Sequence, residues 1–459
     1  MKNALSRRKF LRVVTAAGAT AALPRWVHGQ APAVIRNRPP NILMISTDQW
    51  HANAFGYRGG TGLKTPHSDR IAAQGVDFDC SYSADPVCAP ARTSWLTGRM
   101  PVEHGVIGNG QKLTPGMPDC GQWFGSHGYE TAHLGKWHTT GRDPAKSFDF
   151  YTGMHPAGQY GDLSVAESAR AYLLGRRRDK PSFLHVAFMN PHDICQVACL
   201  RTGDGQWPVE AGNLPPLPEN HSARPAEPET MLARVRNSPR RLPIRSWSAQ
   251  DWQFYAWMYY RYCEMAEVAI GVVLDSLEAS GEADNTFLVY TSDHGEGLGH
   301  HGLTAKSFLY EEAARVPLVA AFPGRLPSGQ RDMKLAVSGV DLLPTFCHAA
   351  GIPQPPDLCG IDFLQAYAAK ASPRETLVTS ASFGGWMARD DRYKLIRYDA
   401  SETVQLFDLQ NDPGETANLA PEKPALVASL SRAITDFRAG LKPAPASGKP
   451  GAEMSGELG

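Results

Sequence analysis

Short polar segments spread along the chain carry side chains that suit hydrolytic chemistry. Groups able to bind a divalent cation occur in the pairs Asp48-Gln49 and Asp293-His294. Cys88 is a candidate nucleophile, with Arg92 one helical turn further on. Residues that can move protons or neutralise an anion follow at Lys136, His138, His192 and Lys306.

These residues fall where buried strands are predicted to end. The apolar runs of strand length are 41–47, 183–188 and 286–291. They lead into Asp48, into Asn190-Pro191-His192 and into Asp293-His294. Such runs are typical of parallel strands, whose carboxyl ends share one edge of the sheet and bind ligands there. The polar residues are therefore expected to meet.

Helices are predicted between the strands, so the sheet should be covered on both faces. The clearest helix runs over 248–280, with Ser248 as N-cap and Gly281 as C-cap. A Pro-, Arg- and Glu-rich insertion at 195–247 is predicted to lie over the site. Beyond residue 370, strands at 376–379, 393–398 and 404–409 and a helix at 426–441 predict a smaller C-terminal domain with an antiparallel sheet.

Length and composition favour a large catalytic domain at 40–370 and a C-terminal subdomain at 371–441. The chain has 459 residues, 42% of them hydrophobic, and 46 basic residues balance 46 acidic ones. A net charge of zero argues against a nucleic-acid partner, so any positive potential must be local. The Pro-, Gly- and Ser-rich tail at 442–459 is predicted to be disordered.

The first 33 residues are predicted to be an export signal. Ser6-Arg7-Arg8-Lys9-Phe10-Leu11 resembles a twin-arginine signal, and the apolar run 13–23 is too short to span a bilayer stably. The expected partner is the twin-arginine translocase and the expected location a bacterial periplasm or the exterior, with no stable membrane insertion. Cys195 and Cys199 are candidates for a disulfide or for free thiols.

Cys88-Ala89-Pro90-Ala91-Arg92, followed by Thr97-Gly98, resembles the C-x-P-x-R-x4-T-G signature of type I sulfatases. A chance match in a chain of this length has a probability on the order of one in ten thousand. The other interpretation is a buried structural cysteine ahead of a helix. The segment from Gly128-Tyr129 to Gly135-Lys136-Trp137-His138 resembles the second signature of that family.

The resemblance implies an alkaline-phosphatase-like α/β fold: a large, mostly parallel sheet flanked by helices, plus the smaller C-terminal domain. It also implies that a formylglycine-generating or anaerobic sulfatase-maturating enzyme oxidises Cys88 to formylglycine (3-oxoalanine). The aldehyde hydrate would attack sulfur, and its second hydroxyl would then expel inorganic sulfate. Arg92 would stabilise the hydrate and the metal site.

Further roles follow from the same resemblance. Lys136 and Lys306 would hold the sulfate, His192 and Lys306 together would supply the acid for the leaving group, and His138 would be the base that triggers sulfate release. His301 is a further substrate-binding candidate, and His104 and His300 more often have structural roles. In the C-terminal part, Asp412-Pro413-Gly414-Glu415 resembles a family-typical turn.

The resemblance also implies a single divalent cation held by Asp48, Gln49, Asp293, His294 and the modified Cys88. Many sulfatases have a second Asp where Gln49 stands and Asn where His294 stands. An all-oxygen site suits Ca²⁺, which is the predicted ion, whereas a histidine nitrogen favours Mn²⁺ or another transition metal.

The predicted function is hydrolysis of the sulfate ester of a small molecule or oligosaccharide, with a sulfated carbohydrate preferred by analogy. A formylglycine-dependent phosphonate or phosphate ester hydrolase is the first alternative, motivated by Gln49 and His294. An exported carbohydrate-binding protein with unmodified Cys88 is the second. Residues expected to grip a sugar or aryl group are Arg201, Trp207, His221 and Trp247, although aromatic residues also pack in cores.

Overall fold

The structure, a computed structural model, describes residues 38–59, 62–153, 155–197, 209–238, 241 and 243–444. Its strands are Asn41–Asp48 (β1), Val76–Phe78 (β2), Ser81–Tyr82 (β3), Glu130–Gly135 (β4), Phe150–Thr152 (β5), Ser182–Pro191 (β6), Thr286–Ser292 (β7), Leu318–Ala321 (β8), Gln330–Asp332 (β9), Val337–Ser338 (β10), Leu377–Ala381 (β11), Gly385–Arg389 (β12), Tyr393–Tyr398 (β13) and Gln405–Asp408 (β14). Its α-helices are Pro66–Gln74 (α1), Cys88–Thr97 (α2), Pro101–His104 (α3), Cys120–Ser126 (α4), Gly158–Gly175 (α5), Ile194–Val197 (α6), Ala249–Ala279 (α7), Glu311–Ala314 (α8), Leu342–Ala350 (α9), Phe363–Ala369 (α10) and Pro424–Gly440 (α11).

A mixed sheet forms the centre of the fold. Within the described residues it has eight strands in the order β5-β4-β6-β1-β7-β8-β2-β9. The pairs around β1, β4 and β6 are parallel, and β8 runs antiparallel to β7 and β2. This arrangement, with helices on both faces, confirms the predicted α/β fold class.

Both faces of β1 are buried, which explains its continuous apolar sequence. Leu43 and Ile45 face a core shared with α5 and α7, and Ile42 and Met44 face a core shared with α9. Because side chains alternate between the two faces of a strand, a strand covered on both sides has no polar face.

The long helix α7 matches its predicted bounds within one residue at each end. The Ser248 side chain accepts from the backbone N–H of Asp251, and the Asp251 carboxylate accepts from the backbone N–H of Ser248. Gly281 follows the helix with a φ of 71°, as expected of a glycine at this position. The helix packs on α5 and β6 and so brings Tyr255 and Tyr259 towards the end of β1.

The C-terminal part contains an antiparallel sheet in the order β11-β12-β13-β14, covered by α11. The sequence analysis predicted the outer strands, β13 and the helix, but it missed β12. Gly385 begins that strand, and the alternation of Trp386 and Ala388 with Met387 and Arg389 was too short to stand out. From Arg38 onward the described residues form one compact unit, and the division at residue 370 stays a prediction.

The insertion at 195–247 is only partly described. It contains the end of α6, a 3₁₀ turn at Ala211–Asn213, a π-helical turn at Met231–Arg236 and another 3₁₀ turn at Pro243–Ser246. The predicted signal at 1–33, Cys199, Arg201, Trp207 and the tail beyond 444 lie outside the described residues. No helix in the described ranges is long and apolar enough to cross a bilayer.

Candidate active site

Parallel strand register brings the polar strand ends together. Asp48 pairs with Pro191 of β6, and its neighbour Thr47 pairs with Ser292 of β7. The residues that follow these strands, His192 and Asp293, therefore flank Asp48 at one edge of the sheet. The carboxylates of Asp48 and Asp293 have no solvent exposure.

Arg92 fixes both carboxylates from the adjacent helix α2. Its Nε lies 2.8 Å from Oδ2 of Asp293, and its Nη2 lies 3.3 Å from Oδ2 of Asp48. The remaining donors reach the carbonyl oxygens of Lys136 and Thr47. These contacts place Arg92 beside both carboxylates, and its roles at the metal and at the formylglycine hydrate stay predictions.

The two carboxylates differ in their electrostatic surroundings. Burial opposes ionisation of Asp48, but Lys136, His192, Lys306 and Arg92 together hold its pKa well below the usual value. Nζ of Lys136 lies 2.6 Å from Oδ2 of Asp48. Burial and the Asp48 charge raise the pKa of Asp293 in spite of Arg92. Asp293 is therefore the less well compensated of the two, and a divalent cation held by both carboxylates would favour its ionised form.

The orientation of His294 fits a metal ligand. Its Nδ1 lies 2.8 Å from the Gly295 carbonyl, which can only accept, so Nδ1 carries the proton. The Nε2 lone pair then faces Oδ1 of Asp48 at 3.7 Å and Oδ1 of Asp293 at 3.6 Å. Ligand atoms of Asp48, Cys88, Asp293 and His294 all lie within 4.8 Å of one another. The residues present thus fit a divalent cation.

Cys88 is the first residue of α2 and is completely buried. Its Sγ lies 3.1 Å from Nζ of Lys306, 3.2 Å from Nε2 of His294 and 3.7 Å from Oδ1 of Asp48. Burial and Asp48 raise the pKa of the thiol, whereas Lys306, Lys136 and His294 lower it, and the net result is well below the usual value. The position therefore stabilises a negatively charged nucleophile.

Gly98, at the end of the signature, has a structural reason to be glycine. It terminates α2 with a φ of 64°, and a Cβ there would lie 3.1 Å from the Leu358 side chain. The signature thus contains both the site residues and the residue that ends their helix.

Gln49 lies beside the carboxylates, where its amide groups already have partners. Its Oε1 accepts from Nζ of Lys306 at 2.8 Å, and its Nε2 donates to Glu296. Its backbone has a φ of 70° and is held by Tyr259, whose hydroxyl donates to the Gln49 carbonyl at 2.7 Å. In this arrangement Gln49 positions Lys306, and its role as a metal ligand stays a prediction.

His192 faces the same group of charges with an unused ring nitrogen. Its Nε2 is buried and has no hydrogen-bond partner among the described residues. Burial and Lys306 lower the pKa of His192 to about 4 in spite of the Asp48 charge. The imidazole is therefore neutral at physiological pH and can interact with a substrate oxygen.

Two further predicted site histidines, His138 and His301, make no hydrogen bond or ion pair with the two carboxylates of the site in the described part of the chain. His138 has a φ of 52°, and its buried Nδ1 has no partner within the described ranges; its role as the base stays a prediction. His301 stacks on Tyr310 with ring centroids 4.1 Å apart. With Glu312 and Glu415 it forms a second group of buried potential metal ligands, so its substrate-binding role also stays a prediction.

The other two histidine candidates have structural contacts. Nε2 of His104 lies 3.0 Å from the Ser94 hydroxyl, and Nδ1 of His300 lies 2.7 Å from Oδ1 of Asn220. Cys195 is a free thiol 3.4 Å from the Gln49 amide.

The sequence analysis missed Glu296 and Asp162, which position the site from behind. Glu296 accepts from Gln49, from the Tyr255 hydroxyl at 2.8 Å and from the backbone N–H of Ala305 at 2.6 Å. Asp162 accepts the backbone N–H groups of Met189 and Asn190 at 2.7 and 3.0 Å. For Glu296 the available signal was its place in Asp293-His294-Gly295-Glu296; for Asp162, within α5, there was none.

Comparison with known proteins gives a consistent result. The family model described as Sulfatase matches residues 40–352, and a second model, N-sulphoglucosamine sulphohydrolase, C-terminal, matches residues 299–439. Together they include every site residue described above.

Similar proteins have comparable lengths. The Delta 4,5-hexuronate-2-O-sulfatase of Bacteroides thetaiotaomicron is 29% identical over 86% of this chain and 88% of its own. A solved 2-O GAG sulfatase has a TM-score of 0.80 at 27% identity, covering 88% of this chain and 92% of its own. The phosphonate monoester hydrolase of Agrobacterium radiobacter shares the fold, with a TM-score of 0.71 at 21% identity, covering 87% of this chain and 95% of its own.

Proposed function

This chain belongs to the sulfatase family of sulfuric ester hydrolases, and from that premise we propose that it cleaves sulfate esters of carbohydrates to an alcohol and inorganic sulfate. The observation that carries the proposal is the convergence of Cys88, Lys306 and His294 on the carboxylates of Asp48 and Asp293. The carbohydrate class is supported by the names of similar proteins, a hexuronate 2-O-sulfatase and a 2-O GAG sulfatase.

Two groups would supply the reactive centre. Formylglycine made from Cys88 supplies a hydroxyl nucleophile, and a divalent cation, proposed to be Ca²⁺, supplies charge stabilisation at the sulfate oxygens. Asp48, Asp293 and His294 would hold the cation, with Gln49 as a further candidate.

The remaining side chains bind and orient the ester. Lys136 and Lys306 place two ammonium groups beside the carboxylates and the nucleophile, where they attract an anionic substrate. The unused Nε2 of His192 is placed to contact the leaving-group oxygen. Arg92 holds the two carboxylates in position by pairing with both, and Gln49 orients Lys306.

Replacement of Cys88 tests the nucleophile. We expect Cys88→Ala to abolish sulfate release from sulfated sugars, because no other residue of the site supplies the same group. Cys359→Ala, which removes another free thiol, should retain activity. Circular dichroism and melting temperature establish that both variants fold. Undiminished sulfate release by folded Cys88→Ala would disprove the mechanism.

Mass spectrometry of the peptide containing residue 88 tests the modification itself. Active native protein should carry formylglycine at this position, made by a formylglycine-generating or anaerobic maturating enzyme. An unmodified Cys88 in inactive native protein that still binds sulfated sugars would favour the carbohydrate-binding alternative.

A phosphonate or phosphate ester hydrolase is the second candidate function. The nitrogen ligand His294 and the amide of Gln49 favour it, since they depart from the common sulfatase pattern. Matched aryl sulfate and aryl phosphonate monoesters distinguish the two, because both carry one negative charge. We expect a larger kcat/KM for the sulfate; a large preference for the phosphonate would reverse the assignment.

Export by the twin-arginine route to the periplasm or exterior belongs to the same proposal. It depends on the sequence around Arg7-Arg8. Cell fractionation of the full chain and of an Arg7→Lys/Arg8→Lys variant tests it: the variant should stay in the cytoplasm.

A further inference from the structure

A second polar cavity lies against the loop that carries Lys306. Its volume is about 440 Å³, within the range of small-ligand sites. Gly302 and Leu303 form one wall, and the insertion supplies most of the rest. The principal side chains are four arginines and two tryptophans: Arg224, Arg236, Arg241, Arg245, Trp247 and Trp252.

The four guanidinium groups are not balanced by nearby carboxylates. Among the described residues, one carboxylate lies within ion-pair distance of any of these four arginines. It is Glu227, which pairs with Arg236. Arg224 donates to the carbonyl oxygens of His221 and Ala223. Arg245 donates to the side chain of Asn237. In a chain of zero net charge, this local excess of positive charge attracts anions.

Two of the cavity arginines, Arg241 and Arg224, have lowered pKa values, as expected where positive charges lie close together. Burial lowers the pKa of Arg241 to about 10, and Arg236 lowers it further against the opposing effect of Glu296. Partial removal from solvent and the charge of Arg236 also lower the pKa of Arg224, although its side chain is mostly exposed. A bound anion would remove this repulsion.

Arg241 connects the cavity directly to the catalytic site. It donates through Nη2 to the carbonyl oxygens of Thr304 at 2.9 Å and Lys306 at 2.6 Å. Nζ at the other end of Lys306 lies 3.1 Å from Sγ of Cys88. The cavity and the nucleophile are therefore separated by the length of one lysine residue.

The tryptophans add flat apolar surface to the charged wall. Trp247 and Trp252 meet edge to face with centroids 4.9 Å apart, and Trp252 also meets His221 at 5.1 Å. Apolar surface with a few polar groups is typical of small-molecule sites, and arginine forks match the geometry of carboxylate and similar oxyanions.

We propose that this cavity is a second anion-binding site, which holds an acidic group of the substrate other than the sulfate ester that is cleaved. The ligand chemistry is a sulfate or carboxylate group on a neighbouring sugar. The inference rests on the proposed function, because it assigns the substrate to polyanionic oligosaccharides.

Three sulfated disaccharides of one scaffold test the site, with a neutral sugar, a uronic acid or a second sulfate next to the cleaved ester. We expect kcat/KM for at least one acidic substrate to exceed that for the neutral one about tenfold or more, since a charge-assisted hydrogen bond is of this order. The acidic substrate with the larger kcat/KM identifies whether the cavity binds a carboxylate or a sulfate group.

Arg224→Ala should remove most of that preference. Arg224 reaches the cavity from an exposed position, and its side-chain contacts are backbone carbonyls of its own loop. Arg234→Ala is the matched control: Arg234 lies in the same insertion but stacks on Phe383, outside the cavity. The inference is overturned if the neutral disaccharide is cleaved as fast as both acidic ones, or if both variants change all substrates equally.

Binding to inactive protein separates this inference from the proposed function. Calorimetry of Cys88→Ala with the same disaccharides reports affinity without turnover. Tighter binding of an acidic disaccharide, lost on adding Arg224→Ala, supports the cavity even if wild type releases no sulfate. Equal affinity for all three in a protein that does release sulfate overturns the cavity and retains the proposed function.

Discussion

At the scale of single residues, the site keeps Lys306 charged and His192 neutral, although both are potential proton donors to the leaving group. Burial lowers the pKa of Lys306, but Cys88, Cys195 and Asp48 raise it far more. Burial and Lys306 lower the pKa of His192 to about 4. After Cys88 is converted to formylglycine, Asp48 and Asp293 still favour the charged form of Lys306, so at neutral pH its ammonium holds the proton that a departing alkoxide needs, and His192 acts as a neutral hydrogen-bonding partner. The sequence analysis assigned this task to both residues together.

Replacing Lys306 should affect poor leaving groups most. We expect Lys306→Met to lower kcat/KM for a sugar sulfate by about 10²–10⁴-fold, the usual contribution of a positioned acid. The loss should be smaller for 4-nitrophenyl sulfate, whose leaving group departs without a proton. Initial rates on a series of esters with increasing leaving-group pKa measure the difference.

A second lysine provides the control for this prediction. Lys334 is exposed, and Lys334→Met should leave the whole series unchanged. Equal losses by Lys306→Met on good and poor leaving groups would mean that Lys306 binds sulfate without supplying a proton.

At the scale of elements, strand ends and motifs were predictable because each is a local pattern. The ends of β1 and β7 and the start of α2 placed Asp48, Asp293 and Cys88 in one site. The contacts of Glu296 and Arg241 were not predictable, because their partners lie on distant segments of the chain. The role of Gln49 also depends on such a contact, since Lys306 is 257 residues away in sequence.

The C-terminal sheet is joined to α8, close behind the site, by a buried lysine. Nζ of Lys394, on β13, lies 2.9 Å from Glu311 and 2.9 Å from Glu415, and its side chain is 0% exposed. Burial raises the pKa of Glu415 to about 8 despite Lys394, and Glu311 adds to the increase. Glu415 is therefore largely uncharged at neutral pH, whereas Glu311, whose pKa Lys394 lowers in spite of burial, is the charged partner of this lysine.

We expect Lys394→Met to lower the free energy of unfolding by about 3–5 kcal/mol, because it leaves the buried carboxylate of Glu311 without its nearest cation. The melting temperature from calorimetry measures the loss. Glu415→Gln alone should cost much less than Lys394→Met at neutral pH, because Glu415, with its pKa raised to about 8, is already largely uncharged there. If Lys394→Met has the same melting temperature as wild type, or if Glu415→Gln lowers it as much as Lys394→Met does, the ion pair between Lys394 and Glu311 does not stabilise this contact.

At the scale of the whole molecule, several core histidines are held neutral. Burial lowers the pKa of His104 and of His133 to about 3, and it lowers that of His185 well below the usual value. His133 and His185 lie on neighbouring strands with their Nδ1 atoms 3.2 Å apart. Protonating either ring would place a charge between β4 and β6, so the folded state excludes it.

This exclusion makes stability depend on pH in one direction. In the unfolded chain these histidines have pKa values near 6.5, so below that pH the unfolded state binds more protons than the folded state. Their contribution is complete above about pH 6.5 and decreases as the pH falls towards about 3, by up to about 1.4 kcal/mol per pH unit for each histidine. We expect the melting temperature to fall steeply between pH 7 and pH 5.

His104→Asn isolates one of these contributions. The amide oxygen of asparagine can replace Nδ1 of His104 as the acceptor for the backbone N–H of Val106, and asparagine does not titrate; the contact of Nε2 with Ser94 is lost equally at every pH. As the pH falls from 7 to 5, the melting temperature of wild type should therefore decrease more than that of His104→Asn. His155→Asn, at an exposed position, should follow wild type across the range. A parallel pH dependence of wild type and His104→Asn would show that acid destabilisation originates elsewhere, in the carboxylates or in loss of the cation.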